Sequence, residues 1–260
     1  MGPASFLTLP TRPPKPRSAG LTHVLDTGVT PAVAADLLAG TAPYVDIWKT
    51  GWGTAYLDGR IADKLAVLAD HDVASCLGGT LLEIAWAQGV AEACLAWADE
   101  AGFTHVEVSR GTVPMALEAK HELVRRAADR FVVVTEVGAK DPAQQHTLAQ
   151  WGDEAGQDRA AGAALVVAEG RQSGTVGIYD GDGTVREDVV DEIVDAVGLD
   201  RVVFEAPRAG QQAWFVRRFG PGVNLGNVAL DEILSVETLR LGLRSDTAEV
   251  SLPVTAEPVR

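Results

Sequence analysis

Charged and amide side chains follow several short apolar segments of this 260-residue sequence, and their types suit anion binding and acid–base chemistry. In chain order they are Asp26, Lys49, Gly78 to Thr80 with Glu83, Ser109 with Arg110, Glu136 with Lys140, Glu169 with Arg171, Glu205, and Asn224 with Asn227. A charge inside a protein core is costly unless it is paired, hydrogen-bonded or bound to a metal. So many polar groups at the ends of apolar segments therefore predict one shared site.

Three glutamates, Glu136, Glu169 and Glu205, end consecutive apolar segments. Carboxylate oxygens are the ligands that Mg²⁺ prefers in proteins. If the segments are neighbouring parallel strands, the three carboxylates converge, and we expect them to bind Mg²⁺. Three separate salt bridges are the alternative.

Other acidic residues of the set allow two interpretations. Glu107 lies two positions before Ser109, so a strand would place it on the same face and one layer deeper. There it either forms a buried ion pair with Lys49 or takes part in catalysis. Asp26 and Asp46 either belong to the site or cap helices and pair with lysines.

The Gly78-Gly79-Thr80 segment precedes a helical pattern of apolar residues. Main-chain amides at such a position can bind an anion. We therefore predict that Gly79 and Thr80 bind the substrate.

Histidine and cysteine spacing disfavours a transition-metal site or a disulfide framework. The five histidines, at positions 23, 71, 105, 121 and 146, form no HxH or HxxxH pair, and Cys76 and Cys94 form no CxxC pattern.

Eight short apolar segments, rich in β-branched residues, alternate with amphipathic stretches long enough for crossover helices. They are Leu21–Leu25, Tyr44–Trp48, Val73–Leu77, Thr104–Val108, Phe131–Val137, Ala163–Ala168, Arg201–Phe204 and Gly222–Leu225. Continuously apolar strands joined by helices indicate a parallel sheet covered on its outside. We predict a single (β/α)8 TIM-type barrel of the α/β class. An open doubly wound sheet is the rival, but no GxGxxG turn follows the first segment.

The chain divides by composition into three parts. Residues 1–17 contain five prolines and predict an extended N-terminal arm, residues 18–247 form the barrel, and residues 248–260 form a C-terminal tail. In such barrels the chemistry lies at the carboxyl ends of the strands, which is where the polar residues fall.

Overall composition limits the partners. A net charge of −14 argues against binding nucleic acid or anionic membranes, and no apolar run approaches the roughly 20 residues of a membrane helix. The N-terminus does not resemble a signal peptide, so we expect a cytoplasmic protein acting on small anions. Trp86, Trp97 and Trp214 either mark contacts of a homo-oligomer or belong to the core.

The sequence resembles the phosphosulfolactate synthase family in motifs that occur in one order across about residues 17–247. They are Gly20-Leu21-Thr22 with Leu25-Asp26; Asp46 with Lys49-Thr50-Gly51-Trp52-Gly53-Thr54; Gly78-Gly79-Thr80-Leu81-Leu82-Glu83; Val106-Glu107-Val108-Ser109; Thr135-Glu136-Val137-Gly138 with Lys140; Glu169-Gly170-Arg171 with Ser173-Gly174; Phe204-Glu205-Ala206-Pro207 with Gln211-Gln212; Val223-Asn224-Leu225 with Asn227; and Glu237-Thr238-Leu239-Arg240 with Gly242-Leu243-Arg244 and Asp246-Thr247.

The resemblance implies a Mg²⁺-dependent barrel that adds sulfite to phosphoenolpyruvate, giving (2R)-phospho-3-sulfolactate in a route to coenzyme M. It implies a metal-stabilised enediolate that a lysine protonates, and Lys140 matches the family's catalytic lysine. We expect Lys49 to assist catalysis and the metal to bind the three glutamates. The expected substrate-binding residues are Arg171, Ser109, Arg110, Gly79, Thr80, Gln211, Asn224 and Asn227.

The chain departs from archaeal members of this family at Arg110 and Gln172, where those carry acidic residues, and at Ala139, where those carry a second lysine. Added positive charge suggests a second hypothesis, the same chemistry with a thiol or another sulfur oxyanion as nucleophile. A third is a non-catalytic, stress-associated barrel, because plant relatives are linked to heat tolerance.

Overall fold

Eight parallel strands close into a barrel in sequence order, the first strand pairing with both the second and the eighth. The computed structural model describes residues 6–138 and 147–252. The strands are β1 (Thr22–Asp26), β2 (Ile47–Thr50), β3 (Ala74–Leu77), β4 (His105–Val108), β5 (Val132–Val137), β6 (Leu165–Ala168), β7 (Val202–Glu205) and β8 (Leu225–Ala229). The helices are α1 (Pro31–Thr41), α2 (Thr54–Leu57), α3 (Ile61–Asp70), α4 (Gly79–Ala87), α5 (Ala91–Ala101), α6 (Leu117–Ala128), α7 (Leu148–Ala161), α8 (Glu187–Val197), α9 (Ala209–Phe219) and α10 (Ile233–Arg240). The predicted (β/α)8 barrel is confirmed.

Two apolar layers hold the strands in place. One face of each strand packs against the helices, and the other fills the barrel interior, where Leu21, Ile47, Val134, Val167 and Val203 form a separate core cluster. Because both strand faces are buried, most strand positions are apolar, as is usual in parallel sheets. Polar residues appear where each strand leaves this core.

Helix starts agree with local sequence signals. Thr30 caps α1, with Pro31 at its first position, and Thr147 forms a capping box with Gln150 at the start of α7.

All eight predicted strands are present, but the second and the eighth begin three residues later than predicted. Residues Ala42–Tyr44 form a 3₁₀ turn before β2. At β8 the pairing with β1 changes register between Thr22 and Val24, which marks a β-bulge near Gly226 and Asn227. A glycine and a polar residue inside the strand hide its apolar pattern, so the prediction stopped too early.

The N-terminal arm packs across the amino ends of the strands. Arg12 donates to the Gly20 carbonyl and forms ion pairs with Asp46 and Glu237, and Arg17 also binds Asp46. Asp46 therefore has the structural role that was one of its two interpretations. The boundaries at residues 17 and 247 stay predictions.

Trp86, Trp97 and Trp214 pack against the core as partly buried side chains. Homo-oligomer formation stays a prediction. Within the two described ranges, no helix combines the length and the apolar character needed to cross a membrane.

Candidate active site

A cavity of about 460 Å³ opens at the carboxyl ends of the strands. Its lining residues are Leu25, Lys49, Gly51, Trp52, Gly78, Gly79, Thr80, Glu107, Thr112, Glu136, Glu169, Arg171, Gln172, Ser173, Glu205 and Asn227. Most of the strand-end residues singled out from the sequence therefore meet at one place, where (β/α)8 barrels carry their chemistry.

Glu136, Glu169 and Glu205 converge in this cavity. Each offers one carboxylate oxygen that lies within 4.8 Å of the other two, and all three residues are buried. Neighbouring strands β5, β6 and β7 place them side by side. Three hard oxygen donors gathered in a buried position, where their mutual repulsion is costly, fit a divalent cation such as Mg²⁺.

Lys49 lies beside this cluster and pairs with two carboxylates. Its Nζ is 2.9 Å from Glu107 Oε2 and 3.3 Å from Glu205 Oε1. Burial opposes the charged ammonium, but Glu107, Glu205 and Glu136 together raise the pKa of Lys49 well above its ordinary value. Lys49 is therefore a fixed cation suited to anion binding and charge stabilisation rather than to giving up a proton near neutral pH.

Glu107 links two sides of the cavity. One oxygen binds Lys49, and the other accepts a hydrogen bond from the Gly79 amide at 3.0 Å. The deeper ion pair considered for Glu107 and Lys49 is thus present. It orders the start of α4, where Thr80 faces the cavity.

Glu205 ties the β6–α8 loop to β7. Its Oε2 accepts hydrogen bonds from the amides of Gly170, at 2.9 Å, and Arg171, at 2.7 Å. Burial raises the pKa of Glu205, although Lys49 opposes that shift. A bound cation would favour the charged form of this carboxylate, as Lys49 does.

Three cavity residues other than glycine have left-handed backbone conformations: Trp52 (φ 56°), Arg171 (φ 55°) and Asn227 (φ 52°). Such strain gathers at functional sites, where the surrounding structure must support it. The β8 bulge directs Asn227 into the cavity, and its Oδ1 is buried with no hydrogen-bond partner. An unsatisfied buried amide aimed into a cavity is suited to a ligand.

Gly78 and Gly79, at the junction of β3 and α4, lie too close to neighbouring residues to carry a side chain. A Cβ on Gly79 would collide with the Ser109 hydroxyl, and one on Gly78 would lie 2.7 Å from the Thr50 carbonyl oxygen. Ser109 donates to Glu83, which also accepts the amides of Thr112, at 2.6 Å, and Val113. Ser109 thus helps to hold the β4–α6 loop, and its predicted contact with substrate stays a prediction.

Three other predicted substrate-binding residues are absent from the cavity lining. The Gln211 amide donates to the carbonyls of Gly174 and Gly183, so it fastens the β6–α8 loop. Asn224 precedes β8 and bonds to Leu21 and Val202 at the opposite end of the barrel. The position of Asn224 follows from the late start of β8, because the residue directly precedes that strand.

Arg110 is the third of these residues. Its guanidinium binds both carboxylate oxygens of Glu154, at 3.0 and 2.6 Å. Since Glu154 compensates its charge, Arg110 gives no support to the hypothesis of a more anionic nucleophile. Gln172 does line the cavity, as a neutral side chain. Lys140, the predicted proton donor, and Ala139 lie outside the described residues.

Two helices contribute buried lysines that bind groups at the strand ends, and the pattern of strand-end residues did not predict them. Asp26 accepts hydrogen bonds from Trp48 Nε1 and from the fully buried Lys64, besides the Gly28 amide, so its role is structural. Lys120 on α6 likewise supports the end of β5, because its Nζ donates to the main-chain oxygen of Glu136. Both Lys64 and Lys120 occupy helix positions that face the core, and a lysine at such a position is the sequence feature that could have identified these supports.

Charge within the described part of the cavity is negative overall. Four carboxylates, those of Glu107, Glu136, Glu169 and Glu205, face two cations, Lys49 and Arg171. An anionic ligand would be repelled there unless further positive charge were bound. Fold and site together define a (β/α)8-barrel enzyme with a carboxylate-rich centre suited to a metal ion and a small anion.

Comparisons with known proteins identify the family within this class of enzyme. The profile of the family described as (2R)-phospho-3-sulfolactate synthase (ComA) matches residues 10–246. A phosphosulfolactate synthase of Methanothermobacter thermautotrophicus is 42% identical over 254 residues, covering 95% of this chain and 98% of the relative. Another, of Bacillus subtilis, is 37% identical over 244 residues, covering 93% and 97%.

This chain belongs to the (2R)-phospho-3-sulfolactate synthase family, which confirms the resemblance found in the sequence. It is therefore an enzyme rather than a non-catalytic barrel. Among solved structures, a 3-hexulose-6-phosphate synthase matches with a TM-score of 0.55 at 17% identity, over 85% of this chain and 98% of that chain. That likeness shows the fold alone.

Proposed function

We propose that this enzyme adds sulfite to phosphoenolpyruvate, giving (2R)-phospho-3-sulfolactate, with Mg²⁺ bound by Glu136, Glu169 and Glu205. The observation that carries the proposal is the cluster of three buried carboxylates beside Lys49 in a strand-end cavity. The two relatives are named phosphosulfolactate synthases and align over nearly their whole length.

The reaction needs stabilisation of negative charge more than it needs a strong base. Sulfite forms a carbon–sulfur bond at the methylene carbon, the electron pair of the double bond moves to the adjacent carbon, and that carbon then takes up a proton. Bound at the three glutamates, Mg²⁺ would supply the positive charge that stabilises an oxyanion developing on the substrate carboxylate.

The chain's own residues bind and orient the anions. Lys49 remains protonated and adds fixed positive charge next to the cluster. Arg171, Thr80 and Asn227 lie around the cavity and are our proposed contacts for the phosphate, carboxylate and sulfite oxygens. Lys140 is our proposed proton donor, because it follows β5 two residues after Gly138 and matches the family's catalytic lysine.

Product analysis tests this function directly. Purified protein is incubated with phosphoenolpyruvate, sulfite and Mg²⁺, and the mixture is followed by ³¹P NMR and mass spectrometry. We expect phosphoenolpyruvate to be replaced by one phosphorylated sulfonate, and excess EDTA to stop the conversion. Unchanged phosphoenolpyruvate in the presence of sulfite, but consumption with a thiol or thiosulfate, would show that the nucleophile is a different one.

A further inference from the structure

A fully buried lysine lies outside the barrel wall, behind the carboxylate cluster. Lys120 on α6 has no exposed surface, and its Nζ lies 2.8 Å from the main-chain oxygen of Glu136. The same nitrogen is 2.8 Å from Glu154 Oε1 and 2.6 Å from Asp158 Oδ2. An ammonium has three protons, so these three contacts use its whole donor capacity.

The network around Lys120 joins two helices to two strand ends. Glu154 and Asp158 are buried residues of α7, and Glu154 also receives the guanidinium of Arg110, which follows β4. His121 Nε2 lies 3.2 Å from the other oxygen of Asp158. Lys120 is thus the point at which α6, α7 and the end of β5 meet.

Stability alone does not account for such a network. Removing two or three charges from water costs several kcal/mol, and apolar residues of similar volume would often stabilise a fold equally well. Buried polar networks are most useful where they select one geometry, because each member must meet its partners at fixed distances.

The geometry selected here is that of the Glu136 peptide. On the β4 side the ladder with β5 ends at the pair Val108 with Thr135, whereas on the β6 side it continues through the pairs Glu136 with Val167 and Val137 with Ala168. Glu136 is therefore paired on one side only. Lys120 holds the Glu136 carbonyl at this point. Fixing that peptide plane fixes the direction in which the Glu136 side chain leaves the strand.

We propose that Lys120 is a positioning residue, which aims the Glu136 carboxylate at Glu169 and Glu205 by holding the Glu136 carbonyl. The catalytic consequence of this inference rests on the function proposed above; its structural part does not. Loss of the contact lets the end of β5 move, and the three carboxylates then no longer form a single set of ligands.

Two variants separate this contact from the charge balance. In Asp158→Asn, Lys120 still binds the Glu136 carbonyl. In Lys120→Met/Asp158→Asn, one positive and one negative charge are removed together and the contact is lost, while the Arg110–Glu154 pair remains. Matched removal of an ion pair is expected to leave a folded protein, which circular dichroism and thermal unfolding will show.

The structural readout is amide hydrogen exchange at residues 137 and 138. We expect faster exchange there in the double variant, relative to Asp158→Asn, with the remaining strands unchanged. Equal exchange in the two folded variants would overturn the proposal. Amide exchange needs neither substrate nor metal, so it tests the positioning role even if the wild-type enzyme is inactive with sulfite. Such inactivity would contradict the proposed function and not the positioning role.

The catalytic readout is the metal activation constant measured at saturating phosphoenolpyruvate. Loss of a partner that orients a metal ligand typically weakens metal binding about 10- to 100-fold, and we expect that increase in the double variant only. Lys120→Gln/Asp158→Asn, whose amide can still donate to the carbonyl, covers the case in which methionine prevents folding. We expect this glutamine variant to have the same amide exchange and the same metal activation constant as Asp158→Asn. Faster amide exchange and a raised metal activation constant in the glutamine variant would contradict a positioning role.

A matched control removes a buried ion pair at the other end of the barrel. Arg12 and Glu237 pair at the amino ends of the strands. Arg12→Met/Glu237→Gln is expected to leave the metal activation constant unchanged. A similar rise in that constant would attribute the effect to loss of any buried ion pair and would overturn the proposal.

Discussion

At the scale of single residues, Asn227 is the clearest test of substrate contact. Its buried side chain lines the cavity, where its Nδ2 can donate to an anionic oxygen of the substrate, and its backbone has a positive φ that glycine adopts without strain. We expect Asn227→Gly and Asn227→Ala to raise the KM for phosphoenolpyruvate about tenfold, the value of one good hydrogen bond. Steady-state kinetics measures this.

The glycine variant serves as its own control for backbone strain. Alanine at this φ costs about 1 kcal/mol or more, whereas glycine does not, so only Asn227→Ala should lower the melting temperature. If both variants kept the wild-type KM, Asn227 would not contact the substrate.

Residue types and strand ends made much of the site predictable. Glu136, Glu169, Glu205 and Lys49 each end a short apolar segment, and position alone brings them together. Hydrogen-bond partners were not predictable in this way. Arg110 has the chemistry of an anion-binding residue, but a carboxylate 44 positions later in the sequence takes up its charge.

At the scale of elements, the eight strands followed from their apolar runs, yet β8 shows the limit of that pattern. Gly226 interrupts the apolar pattern of this strand. Space is limited at this position, because a Cβ there would lie 3.0 Å from Val203 Cγ1 and 3.1 Å from His23 Nδ1. Both asparagines were expected to bind substrate, but Asn224 directly precedes the strand, and only Asn227, near its carboxyl end, lines the cavity.

Asn224 should therefore matter for stability and not for catalysis. Its side chain bonds to the Leu21 amide at 2.9 Å and to the Val202 carbonyl at 2.9 Å, joining β1, β7 and β8. Asn224→Ala leaves buried main-chain groups unsatisfied, and we expect it to reduce the free energy of unfolding by about 1–3 kcal/mol. Urea unfolding measures this loss. An unchanged stability with a raised KM would return Asn224 to the substrate-binding set.

One glycine of the β6–α8 loop lies directly against Glu169. Gly177 has a φ of 69°, and a Cβ there would overlap the carbonyl oxygen of Glu169. We expect Gly177→Ala to displace the Glu169 peptide and to lower kcat at least about tenfold, because small misplacements of catalytic groups are costly. Gly181→Ala, in open space on the same loop, is the matched control. Equal activities of the two variants would show that Glu169 does not depend on this contact.

At the scale of the whole molecule, two histidines, the buried His23 and the partly buried His105, predict how stability changes with pH. Burial lowers the pKa of His105 from 6.5 to about 4 and lowers the pKa of His23 well below its ordinary value, with Lys49 and His105 adding to the shift at His23. The unfolded chain therefore binds more protons than the folded one between pH 6.5 and about 4. Stability is lost as the pH falls through that interval.

His105→Asn isolates one part of this dependence. We expect the variant to lose less stability than the wild type between pH 7 and pH 5, measured by urea unfolding at both values. Carboxylates contribute equally to the two proteins and cancel in the comparison. Parallel losses in the two proteins would mean that His105 does not titrate with the lowered pKa.

The proposed function depends on Glu136, Glu169 and Glu205 binding a divalent cation. Calorimetric titration with Mn²⁺, in place of Mg²⁺, measures this in the wild type and in Glu169→Gln. We predict one Mn²⁺ per chain, tighter binding when phosphoenolpyruvate is present, and binding weakened about tenfold or more in the variant, since a charged ligand is lost. Absence of binding, or equal affinity in the two proteins, would contradict the claim.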